Sequence, residues 1–171
     1  MRLLNSFLFC VLCSFLLISC NTVPQEKLYS MPEEMPESFG FHVKYGIGMK
    51  NEINTYEGAV VKDLIAKGTH KTTDIVFTEE EMKNIYEMVR QTEPFSPKYL
   101  AQSNSCNQTP YNEFYIEITV ENHTTNFHFS EEYCELTDDG KKFKSLIYKI
   151  HDLLQEKEEY KQLPQAEGGY D

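Results

Sequence analysis

The chain has 171 residues, with 27 acidic against 16 basic side chains, a net charge of −11, no Trp and five Cys. That balance argues against nucleic acid as a partner, because phosphate binding calls for a basic patch. Anionic polymers and lipid headgroups are repelled for the same reason.

The N-terminus has three parts. Met1-Arg2 is a short basic start, Leu3 to Leu17 is apolar apart from Asn5, Ser6 and Ser14, and Ile18-Ser19 lead into Cys20. A basic start, an apolar run and a small-residue cleavage site define a secretory signal. The run falls short of the roughly 20 residues that span a bilayer. Leu17-Ile18-Ser19-Cys20 resembles the lipobox of bacterial lipoproteins. The resemblance implies diacylglycerol on the Cys20 sulfur, removal of residues 1–19, and a protein anchored to the membrane rather than spanning it. An ordinary secretory signal cut nearby and an uncleaved anchor are the alternatives. Asn21 is compatible with outer-membrane sorting in a Gram-negative cell.

Cysteine use follows from the anchor. Cys10 and Cys13 leave with the signal and Cys20 is lipidated, so Cys106 and Cys134 remain as a pair. In an extracytoplasmic compartment a disulfide is the default for such a pair. A two-Cys metal site is the alternative, and it lacks further ligands at suitable spacing. No metal or other cofactor is expected.

Residues 20–38 read as a flexible tether, with Pro24, Pro32 and Pro36 among Glu26, Glu33, Glu34 and Glu37 and no apolar periodicity. A single domain is expected over 39–160. Phe41, Val43, Tyr45 and Ile47 alternate with polar or small residues, which predicts a strand. Met49 to Asn54 reads as a polar turn. A second strand follows over 56–64 with Gly58 as a bulge. Lys67 to His70 then turns, and 73–77 is a short extended piece. Thr78 with Glu81 forms a capping box, and Phe77 with Met82 a hydrophobic staple. Met82, Ile85, Tyr86 and Val89 then give a helix stopped at Glu93-Pro94. Residues 95–110 form a long loop containing Cys106.

Phe114, Ile116, Ile118 and Val120 alternate with Glu113, Tyr115, Glu117 and Thr119, a second clear strand. A loop at Asn122-His123 predicts a return strand with Ile118 opposite Phe127 and Glu117 opposite His128. Continued outward, that register brings Cys134 near Cys106. Thr137 caps a second helix whose stripe is Phe143, Leu146, Ile147, Ile150, Leu153 and Leu154, with 156–160 extending it into solvent. Residues 161–171 read as a mobile tail. The fold class expected is α+β: an antiparallel sheet of about four to five strands with two helices on one face, in two ββα-like halves.

The mature chain also resembles small lipoproteins of Bacillus-type bacteria. The resemblance is carried by Tyr56, Lys62-Asp63, Thr78 to Tyr86, and the ending Leu163-Pro164 with Gly168-Gly169-Tyr170. That family has no established activity, so the resemblance implies location and size and transfers no catalytic residue.

The polar sheet face is the one candidate ligand surface. His42, Glu117 and His128 are its candidate residues, as half of a metal site or an acid–base pair, against a plain cross-strand charge pair. Lys62-Asp63 with His70 and Asp74 lacks a nucleophile on a sharp turn. Gly46-Ile47-Gly48 has no following helix and fails the phosphate-loop context. Lys141, Lys142 and Lys144 read as a solvated helix face. The expectation is therefore a non-enzymatic, lipid-anchored module that binds an envelope or secreted protein. Its alternative is a small-ligand or metal-binding lipoprotein.

Overall fold

The computed structural model describes residues 28–102 and 105–170. The expected signal segment, Cys20, Asn21 and the first part of the expected tether lie outside the described residues. The strand alternation in the sequence becomes two central strands, β1 (Gly40–Gly46) and β5 (Glu113–Val120), paired antiparallel from Gly40↔Thr119 to Gly46↔Glu113. Phe41, Val43, Tyr45, Phe114, Ile116, Ile118 and Val120 are all buried on one face.

Around this pair stand β2 (Asn51–Asn54), β3 (Ala59–Asp63), β4 (Thr69–Thr72) and β6 (His123–Ser130). The order is β4-β3-β2-β1-β5-β6, and every neighbouring pair is antiparallel. The α+β class holds, but the sheet has six strands rather than four to five. The turn expected over 49–54 is β2, and the turn expected at 67–70 gives way to β4. Both strands are four residues long. β2 contributes one apolar residue to the core, Ile53, and β4 none, so neither carries a readable alternation. The halves are therefore unequal: four strands and a helix, then two strands and a helix.

Helix α1 (Glu79–Arg90) starts as its sequence predicts. Thr78 accepts from the Glu81 N–H at 3.2 Å, and the Glu81 carboxylate accepts from the Thr78 N–H at 2.6 Å. Such a box satisfies two backbone donors that a helix start leaves unpaired. Glu81 also accepts from Lys157 at 2.7 Å, which ties the start of α1 to the far end of α2 (Asp138–Gln155). Burial pushes the Glu81 carboxyl up, but the bonds from Lys157 and from the Thr78 backbone outweigh it and hold the group below its ordinary value.

Ile85, Tyr86 and Val89 of α1 and Phe143, Leu146, Ile147, Ile150 and Leu154 of α2 pack on the buried sheet face. The second helix does not run on into solvent. It ends at Gln155, and a short helix α3 (Glu158–Lys161) buries Tyr160 beneath Lys62, whose Nζ lies 4.9 Å from the ring centroid.

Both ends of the described residues lie on the domain. Of the expected tether, residues 28–38 are packed: Tyr29 stacks on His123 at 3.7 Å, the Tyr86 hydroxyl donates to the Pro32 carbonyl at 2.8 Å, and Met31 and Met35 reach the core. Three side chains large enough to bury apolar area repay the ordering of a segment that its prolines and acids mark as loose. The expected mobile tail docks too. Glu167 bridges Ile65 in parallel, and the Tyr170 hydroxyl donates to Asp63 and accepts from Lys50 at 3.0 Å.

The loop after α1 is fastened to the start of α2. Thr137 caps α2 by accepting from the Gly140 N–H at 3.1 Å, and its own hydroxyl donates to the Tyr99 carbonyl. Leu100 passes so close over Gly140 that an added Cβ would stand 2.0 Å from its carbonyl oxygen. Backbone must move to admit it. Gly140→Ala is expected to cost about 1–3 kcal/mol, the range for overpacking. Gly169→Ala, where a Cβ meets nothing within 4 Å, should stay within about 0.5 kcal/mol of wild type. Urea denaturation of both variants checks the contrast.

Candidate functional site

The sheet face away from the helices gathers the polar side chains of β1, β2, β5 and β6. His42 of β1 pairs in register with Glu117 of β5 on one side and Asn54 of β2 on the other. Its Nε2 lies 2.8 Å from Glu52 Oε1, and Lys44 lies 3.7 Å from the other oxygen of the same carboxylate. Tyr115 donates to Glu117 at 2.9 Å, and its ring meets His42 edge-on at 5.5 Å. Burial, then the bond to Glu117, raises the Tyr115 phenol above its ordinary pKa. The Tyr56 hydroxyl donates to the Gly40 carbonyl at 3.1 Å and lies 2.9 Å from the Thr119 hydroxyl, and its ring covers Gly40.

The sequence places His42 and Glu117 on one face without fixing the strand order, and the structure sets them side by side in register. It separates His128 from them. The β5–β6 loop is Glu121-Asn122, not Asn122-His123, with Glu121 at φ 55° in the first loop position. This moves the register by two residues. Ile118 faces Thr125, Ile116 faces Phe127, Tyr115 faces His128 and Glu117 faces Asn126. A shift of two keeps every side chain on its expected face, so apolar patterning does not distinguish the two registers. His128 stands 3.8 Å from Glu113 instead.

Glu52 is the residue that sequence reasoning missed. Its partner His42 stands in a readable strand, but residues 49–54 read as a turn. The signal present was Ile53 alone, flanked by polar residues on both sides. Among the described residues no group of three His, Cys, Asp or Glu side chains is arranged to hold a metal ion. His42, Glu117 and His128 do not form such a group. The His42 face is a set of mutually satisfied polar pairs.

Cys106 and Cys134 stand at disulfide distance, with Cα atoms 5.9 Å apart across 28 residues of chain. Cys134, at φ 67°, follows a tight turn in which its N–H donates to the Glu131 carbonyl at 2.9 Å. Gln108 reaches across to the Glu132 carbonyl at 2.9 Å, so the loop folds back on the end of β6.

A second titratable cluster lies between sheet and helices. His151 of α2 sits with its Nδ1 2.5 Å from the Tyr45 hydroxyl and its ring edge-on to Tyr160 at 5.9 Å. Burial lowers the His151 pKa; neighbouring Asp152 raises it and Lys62 lowers it further. Burial also raises the Tyr45 and Tyr160 phenols. The four groups around the imidazole are thus neutral phenols, one acid and one ammonium, and this arrangement keeps His151 neutral.

Searches of protein-family models, of curated proteins and of solved structures found no match to this chain.

The depressed His151 pKa makes stability depend on pH. The unfolded imidazole takes its proton near an ordinary pKa of about 6.5, the folded one only at lower pH. The contribution of neutral His151 is therefore complete above that value and lost as pH falls through it. The stability difference between wild type and His151→Gln should shrink steadily from pH 7.5 to pH 5 (a window set about the ordinary pKa), measured by urea denaturation at each pH. A constant difference would show that His151 does not titrate differently on folding.

Proposed function

We propose that the chain is an extracytoplasmic lipoprotein, anchored through diacylglyceryl on Cys20, whose domain works by binding another envelope or secreted protein rather than by catalysis. The carrying observation is Leu17-Ile18-Ser19-Cys20 at the end of an apolar run behind a basic start. Two further features support the reading. A cysteine pair at disulfide distance belongs in an oxidising compartment. The polar groups of the open sheet face bond to one another, His42 to Glu52 and Tyr115 to Glu117, which holds that surface rigid for recognition. The role fits inhibition of, or immunity to, the bound protein.

The test begins with the anchor. Cells fed an alkyne fatty acid should label the wild-type protein and carry it in the membrane fraction. Cys20→Ala should lose the label. Labelling that survives this substitution would rule out Cys20 as the attachment point. In-cell crosslinking of the anchored protein, followed by mass spectrometry, should then bring down one reproducible protein partner, and its absence would sink the binding reading.

A further inference from the structure

The two edges of the sheet are built differently. β4 is four residues long, and its Lys71 is paired with Glu57 at 3.3 Å. A short edge bearing a lysine resists pairing with other strands. β6 is eight residues long and reads His-Thr-Thr-Asn-Phe-His-Phe-Ser, without Lys, Arg, Asp, Glu, Gly or Pro. None of the usual guards is present. Among the described residues, the backbone groups of residues 124–130 bond to nothing but β5.

The hairpin geometry says which groups are left over. In a two-residue hairpin the residues flanking the loop, here Val120 and His123, exchange both backbone bonds, and bonded and non-bonded pairs alternate from there. Thr125, Phe127 and Phe129 therefore bond to β5. Thr124, Asn126, His128 and Ser130 turn their N–H and C=O groups outward. Thr124, Asn126 and His128 are also exposed.

We propose that this edge pairs with the same edge of a second copy of the chain. The two β6 strands run antiparallel about a two-fold axis at Phe127, and two six-stranded sheets become one continuous sheet. Three observations select a second copy as the occupant. In this register Asn126 meets His128 of the second copy and Thr124 meets Ser130 of the second copy. All four outward-facing residues of each strand find an outward-facing partner. Next, the strand carries no formal charge although the chain carries −11, so self-pairing sets no like charges opposite one another. Finally, Phe127 is only partly buried, packed on Phe143 at 4.7 Å, and the axis brings its ring against its own symmetry mate on the helix face. A closed two-fold pairing consumes both unguarded edges at once, which an unrelated strand adding to one copy would not do.

The test uses the full chain in detergent micelles, with protein mass read by light scattering and sedimentation. Wild type is expected at twice the mass of one chain. Asn126→Pro removes one outward N–H that the β5 ladder does not use, a place where an edge strand tolerates proline. Asn126→Lys supplies the missing guard charge. Both variants should fall to the single mass with unchanged circular dichroism, and their thermal midpoint should lose the dependence on protein concentration that pairing gives wild type. Wild type at the single mass overturns the proposal, as do variants that fold and keep the double mass. A photo-crosslinker at Asn126 in cells that captures a different protein, and no second copy, overturns it as well. None of these readings depends on whether Cys20 carries lipid.

Discussion

The pairing of β1 with β5 is the contact on which the rest of the molecule depends. These strands come from opposite sides of α1 in sequence, and their seven-residue register joins the first four strands to the last two. It also fixes the buried face: Phe41, Val43 and Tyr45 stand beside Ile118, Ile116 and Phe114, and both long helices pack against this block. On the other face the same register sets His42 beside Glu117. The apolar core and the polar surface are thus two sides of one long-range pairing, closed against the entropy of the intervening chain.

The helices add cross-links that depend on that block. Glu81 serves both as the box of α1 and as the acceptor for Lys157, so the start of one helix fixes the end of the other. At the opposite end of α2, Thr137 and Gly140 hold the loop through Tyr99 and Leu100. The long loop after α1 is therefore secured at two places, by backbone approach at Gly140 and by the cysteine pair further along.

Much of this was legible in the sequence wherever a segment buries one face. β1, β5, both long helices and both caps follow from period and capping residues. β2 and β4 do not, because strands held mainly by neighbouring backbone need no apolar pattern of their own. The hairpin register was missed by two residues because parity fixes the face and leaves the position along the strand to turn chemistry, here Glu121 in the left-handed region. The same slip separated His128 from Glu117. The packed ends were hidden for another reason. Tyr29, Met31 and Tyr170 make isolated contacts with distant elements, and isolated residues carry no period.

The docking of Tyr29 on the β5–β6 turn sets a short leash. About nine residues separate it from Cys20, and fully extended they reach at most roughly 30 Å, about the diameter of a small domain. With lipid on Cys20, the domain is confined to a layer about two domain diameters thick. Any partner in the same membrane is then met by lateral diffusion, at a concentration set by surface density instead of by volume. In that layer even a weak contact is populated, because tethering has already met part of the entropic cost of association.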